Sequence, residues 1–171
     1  MSSTEHRISI VGIGSSFGAD AIGLNIVDQL AAEHLQQDYP EISLEFVLCE
    51  SPALLPGQIA GADTVILIDG MVSTTKPGTI HELSIEDLAD EHSTTSSHAM
   101  DIVLAINLTR ALDDFKLMIL GVSVGADTES DTLDLALSRA YSVVLGKVLE
   151  QCSYCAIKNI SPHRINELRP R

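Results

Sequence analysis

The chain has 171 residues, 45% of them hydrophobic and 20% charged, enough apolar material to bury a core in one domain and too much for disorder. Ten lysines and arginines against 24 aspartates and glutamates leave a formal net charge of −14, which excludes sequence-independent nucleic-acid binding and disfavours anionic membrane surfaces. Three cysteines, a polar MSSTEHR start and no apolar run of about 18 residues speak against a disulfide framework, a signal peptide or a membrane span, so the expected setting is a reducing cytoplasm.

Residues 7–13 are a β-branched run that predicts a buried strand, followed by the glycine loop Gly12-Ile-Gly14-Ser-Ser-Phe-Gly18. From Asp20 onward, Ile22, Ile26, Val27 and Leu30 recur at helical spacing and predict a helix to residue 34. Residues 43–49 read as a second strand, and 52–60 as a short helical or looping crossover interrupted by Pro56 and Gly57. TVILI at 64–68 is the plainest central strand and ends at Asp69-Gly70. A turn at Lys76-Pro77-Gly78 leads to an edge strand at 79–85 and a polar surface loop over 86–97. Ser97 is placed to cap a helix over 98–112, with Met100, Val103, Leu104 and Leu108 facing inward. A buried strand at 115–120, a loop shaped by Gly121, Gly125 and Asp127, and a long helix over 132–150 follow. From Ser153 the tail, with Pro162 and Pro170, reads as irregular. Strands alternating with helices predict an α/β protein: a three-layer α/β/α sandwich with a mostly parallel central sheet, one domain over residues 1–171.

Ligands of an open α/β sheet gather at the carboxyl ends of its strands. The first strand delivers Asp20 there and the third delivers Asp69. His98 joins them if the edge strand runs antiparallel and the following loop returns the chain to that rim. Two carboxylates and an imidazole on one rim suit a divalent transition metal with positions left open. Each residue also has a purely structural reading: Asp20 as a helix cap, Asp69 as a turn residue, His98 as the first residue of a capped helix. A dinucleotide is disfavoured, although Glu50 supplies the acidic end of the second strand. GxGxxxG is one residue longer than the fingerprint, and a carboxylate at the helix start competes for the N–H groups an anion needs. No GxSxG is present, and Ser15 and Ser16 have no recognisable base. Cys152-Ser-Tyr-Cys155 is a lone CxxC, half a zinc site at most, and reads as structural or incidental.

Three stretches together, "VGIGSSFGADAIGLNIVDQL", "VILIDGMVSTTKPGTIHEL" and "SSHAMDIVLAINLTRAL", resemble the hydrogenase maturation protease family in order and spacing. The resemblance runs from Arg7 to about Leu149. It implies the α/β/α sandwich and an endopeptidase that trims the C-terminal extension of a nickel–iron hydrogenase large-subunit precursor after nickel insertion. It also implies Asp20, Asp69 and His98 as catalytic and metal-engaging residues, with nickel carried by the substrate and no organic cofactor. The chain departs from the family at Ser15, where the family usually has Asn, and at Ala19, often acidic. It departs again at Glu50-Ser51-Pro52 and at residues 123–127, where the family's loops differ. These departures motivate an alternative, a non-catalytic metal- or partner-binding module derived from the family.

Overall fold

In the computed structural model, which describes residues 5–89, 98–125 and 130–159 (backbone alone at 130, 131 and 159), five apolar runs pair into one sheet. They are β1 (His6–Ile13), β2 (Ile42–Cys49), β3 (Thr64–Val72), β4 (Ile80–Leu83) and β5 (Lys116–Val124), in the spatial order β2-β1-β3-β5-β4. The first, second, third and fifth strands pair in parallel, and β4 closes one edge antiparallel to β5. The helices are α1 (Ile22–Ala32), α2 (Leu55–Gln58), α3 (Ile85–Ala89), α4 (Ala99–Arg110) and α5 (Ser130–Asn159). No helix among the described residues is long and apolar enough to cross a membrane.

Strand alternation sorts the core into two halves. Ile8, Ile10, Ile66, Ile68, Leu120 and Val122 face α1 and α5 on one side of the sheet. Val11, Ile13, Val65, Leu67 and Ile119 face α2, α3 and α4 on the other. The three-layer sandwich expected from the alternation of elements is the observed architecture. Because β1 crosses outward to β2 while β3 neighbours β5, the carboxyl ends of β1 and β3 flank the point where strand order reverses.

Several elements depart from expectation, each for a physical reason; β5 runs on from Leu120 to Val124, so Gly121 is a paired strand residue and not part of a loop. β3 does not stop at Asp69-Gly70; it continues to Val72 because β5 goes on pairing with it, Asp69 opposite Gly121 and Val72 opposite Val124. The polar stretch after β4 opens as α3, started by a reciprocal cap in which the Ser84 N–H donates to Asp87 at 2.7 Å and the Asp87 N–H donates to Ser84 Oγ at 3.1 Å. The inward face of α4 is Ala99, Ile102, Ala105, Ile106 and Thr109, whereas Met100, Leu104 and Leu108 are 57%, 61% and 55% exposed. That helix is apolar on more than one side, and the side that holds Ile102 and Ile106, both fully buried, is the one turned to the core. The chain is not irregular from Ser153: α5 continues to Asn159, since Cys152 and Cys155 extend the buried seam of Ala136, Ala140, Val144 and Val148. The Ser97 cap, the loop beyond residue 89, Asp127 and the two tail prolines lie outside the described residues.

Candidate active site

The glycine loop works by close approach. A Cβ on Gly12 would sit 2.4 Å from the Gly23 carbonyl oxygen, and one on Gly23 would sit 2.4 Å from that of Ile68 and 2.6 Å from that of Ile13. The two glycines therefore let the first turn of α1 lie directly on β1 and β3. Gly14 has φ +149, and its Cβ would fall 1.9 Å from the Asp20 carbonyl oxygen, so only glycine allows the chain to double back there. The 3-10 turn Gly18–Ala21 that follows carries Asp20 over the switch point.

Asp20 is not a helix cap. The N-cap of α1 is Ala21 and makes no side-chain capping bond. The Asp20 carboxylate reaches back across its own loop and accepts the Ser15 N–H at 2.8 Å. His98 Nε2 approaches the same oxygen to 3.3 Å, with the two side chains 30% and 21% exposed. His98 stands at the N-cap of α4 with φ −112 and ψ 0, and its carbonyl accepts the Ile102 N–H at 2.9 Å. Its ring makes no capping bond, which leaves it directed at the aspartate. Burial pushes the Asp20 carboxyl up, but hydrogen bonds from Ser15 and the hydrogen bond and charge of His98 outweigh it, holding the group below its ordinary 3.8. Asp20 is thus an anion at any pH near neutrality.

Asp69 lies deeper, only 4% exposed, on the α4 side of β3. It lines a cavity of about 10 Å³ with Leu67, Met71, Leu88 and Ile102. Opposite it Gly121 leaves room: a Cβ there would meet Met71 Sδ at 2.6 Å. The fold therefore places Asp20 and His98 in contact and buries Asp69 on the α4 side of β3. Among the described residues no three His, Cys, Asp or Glu side chains form a group that could hold a metal ion by themselves. Chemically, a carboxylate held ionised beside an imidazole offers an oxygen and a nitrogen donor to a divalent cation.

Two features had no local signal in the sequence. Ser15, passed over for want of a base, serves by its backbone N–H, which orients Asp20. Ser123, at the end of β5, sits 2.9 Å from His81 Nε2, and Thr75 Oγ1 is 3.0 Å from the same nitrogen. Ser123 is wholly buried, so this serine–histidine contact is closed to a substrate and instead ties the 73–78 turn to the sheet. Cys152 and Cys155 are also buried. Burial, then the neighbouring Cys155, pushes the Cys152 thiol up to about 12, and Cys155 Sγ lies 3.3 Å from His6 Nε2. An enclosed pair whose Cys152 stays a thiol has packing as its role.

A family model described as hydrogenase maturation protease matches residues 50–152, a span that includes Asp69 and His98 and begins after the loop that carries Asp20. No curated protein matches the chain. Among solved structures, the hydrogenase maturating endopeptidase HybD from E. coli is 25% identical, with a TM-score of 0.60 over 85% of this chain and 93% of that one. A solution structure of an endopeptidase from Escherichia coli is 26% identical, with a TM-score of 0.62 over the same shares, 85% and 93%. The NiFe hydrogenase maturation protease HybD from Thermococcus kodakarensis, 21% identical, shares the fold with a TM-score of 0.61 over 82% of this chain and 97% of that one.

Proposed function

The chain belongs to the hydrogenase maturation protease family, and we propose that it is the endopeptidase that removes the C-terminal extension of a nickel–iron hydrogenase large-subunit precursor once nickel is in place. The observation that carries this reading is the Asp20–His98 contact of 3.3 Å at the switch point of the sheet, partly open to solvent. In this reading the nickel arrives as part of the substrate and meets the carboxylate and the imidazole, whose mutual hydrogen bond it replaces. Asp69, buried near the carboxyl end of β3, is the third residue assigned to the site.

The lowered carboxyl of Asp20 bears on its role. A general base works best with a pKa near the operating pH, and a carboxylate held below 3.8 is a weak proton acceptor there. Its chemistry is that of an anionic donor that holds the metal beside the scissile bond. Hydrolysis adds water across that peptide bond, releasing the extension with a new amino terminus and leaving a carboxylate on the subunit. A cation next to the bond supplies Lewis-acid polarisation of the carbonyl.

The test is incubation of the chain with large-subunit precursor, with and without nickel, followed by mass measurement of the precursor's C-terminus. Shortening only of the nickel-loaded form is expected. Asp20→Asn and His98→Ala should each abolish it while keeping the wild-type circular dichroism spectrum; wild-type rates in both would remove these residues from the site. A wild-type chain that binds the loaded precursor but never shortens it would instead be the non-catalytic binding module.

A further inference from the structure

The apolar residues that α4 turns outward lead away from the candidate site. Met100, Leu104 and Leu108 repeat every four residues along one side of the helix, starting two positions after His98, and Leu112 beyond its end is 84% exposed. At a rise of about 1.5 Å per residue this stripe runs about 15 Å from His98 to Leu108. Beside it the 3-10 turn Pro52–Leu54 and the start of α2 pack against α4. Between them lies an open groove of about 290 Å³. One wall is Pro52, Ala53 and Pro56; the other is Asp101, Leu104 and Leu108. Both walls are built of rigid or helical backbone. Leu54, on the same turn, is 59% exposed.

A row of uncovered leucines beside a preformed groove is a surface kept for a partner, because scattered exposed apolar residues do not line up at helical spacing. The charge in the groove says which kind. Among the described residues, Asp101 is the one acidic side chain lining it and no lysine or arginine does. A second copy of this chain would bring another −14 of charge and the same carboxylate to the contact, so self-association is electrostatically opposed. A segment with apolar side chains and a lysine or arginine is attracted on both counts.

We infer that this groove, with the Met100–Leu104–Leu108 stripe, is the docking surface for the large-subunit precursor, seated by an apolar segment whose basic residue meets Asp101. The inference rests on the endopeptidase reading: a protein whose metal is presented to His98 must lie over the first turns of α4. Docking here holds the substrate by surface remote from its cleavage site, which leaves the chemistry to Asp20, Asp69 and His98.

The experiment measures the affinity of the chain for nickel-loaded precursor by surface plasmon resonance alongside steady-state cleavage. The double variant Leu104→Glu/Leu108→Glu changes only exposed side chains and should keep its melting temperature. It is expected to bind at least about tenfold more weakly and to raise KM by a similar factor with kcat retained. Asp101→Lys should weaken binding at low salt, with the difference shrinking as ionic strength rises. Wild-type affinity in both variants overturns the docking surface even while the wild-type chain cleaves, and the endopeptidase reading then stands alone. Loss of binding in the variants of a chain that never cleaves keeps the docking surface and removes the activity. A wild-type chain that neither binds nor cleaves refutes both. A wild-type dimer by light scattering that the double variant converts to monomer assigns the groove to a second copy and overturns the inference.

Discussion

Gly23→Ala separates two opposing effects at one atom. In an exposed helix interior, alanine in place of glycine stabilises by about 1 kcal/mol. At Gly23 the new Cβ would stand 2.4 Å and 2.6 Å from the carbonyl oxygens of Ile68 and Ile13. An ordinary carbon–oxygen contact is about 3.3 Å, so α1 must retreat by about 0.9 Å. Both obstructing atoms are strand backbone held in the ladder, which cannot swing aside as a side-chain end would. That places the overpacking cost at the upper end of the usual range, about 3 kcal/mol. Overpacking wins by about 2 kcal/mol, and a domain of this size should lose about 4–8 °C of Tm. The retreat also moves the adjoining turn that holds Asp20, and displacement of about 1 Å near a reacting centre costs about a hundredfold in rate. Gly146→Ala is the control: it lies exposed in α5 with nothing within 4 Å of its Cβ, and should raise Tm by about 2–4 °C. Thermal unfolding followed by circular dichroism reads both. If Gly23→Ala raised Tm as Gly146→Ala does, the close contact of α1 with β1 and β3 would be wrong.

Further outcomes follow from single groups. The Asp20 carboxyl titrates below 3.8 in the folded chain, so its contribution to stability is complete above 3.8 and disappears as pH falls through the folded value. The stability gap between wild type and Asp20→Asn, from urea titrations at a series of pH values, should be constant near neutrality and close below that point; a gap that widened in acid would invert the assignment. Native protein at pH 8 should resist thiol-specific labelling at Cys49, Cys152 and Cys155, all buried, while unfolded protein takes up three labels. Rapid native labelling at Cys152 or Cys155 would show the α5 seam to be open. His81→Ala removes one partner of Ser123 and should cost about 1 kcal/mol with cleavage retained; abolished cleavage at wild-type stability would make Ser123 a nucleophile after all.

The strands were legible in sequence because a parallel sheet buried on both faces demands continuous runs of Ile, Val and Leu, and residues 7–13 and 64–68 supply them. The glycine loop was legible as a tight turn too, since Gly12 and Gly14 stand where any Cβ would run into backbone. What pattern could not settle was orientation about an axis. In α4 two apolar sets both fall at helical spacing, and only tertiary packing decides that Ala99, Ile102, Ala105 and Ile106 go inward while Leu104 goes out. The same limit explains why Asp20 looked like a cap. Its partner in space is His98, 78 residues away, and periodicity carries nothing across that separation. A local reading assigns the carboxylate to the nearest orphan N–H groups of its own helix; the fold assigns it to Ser15 before it and to an imidazole from the opposite layer. The misread stripe and the unforeseen Asp20–His98 contact therefore have one origin, the placement of α4. That placement brings His98 to Asp20 and, in the same step, leaves Met100, Leu104 and Leu108 exposed on its outer side.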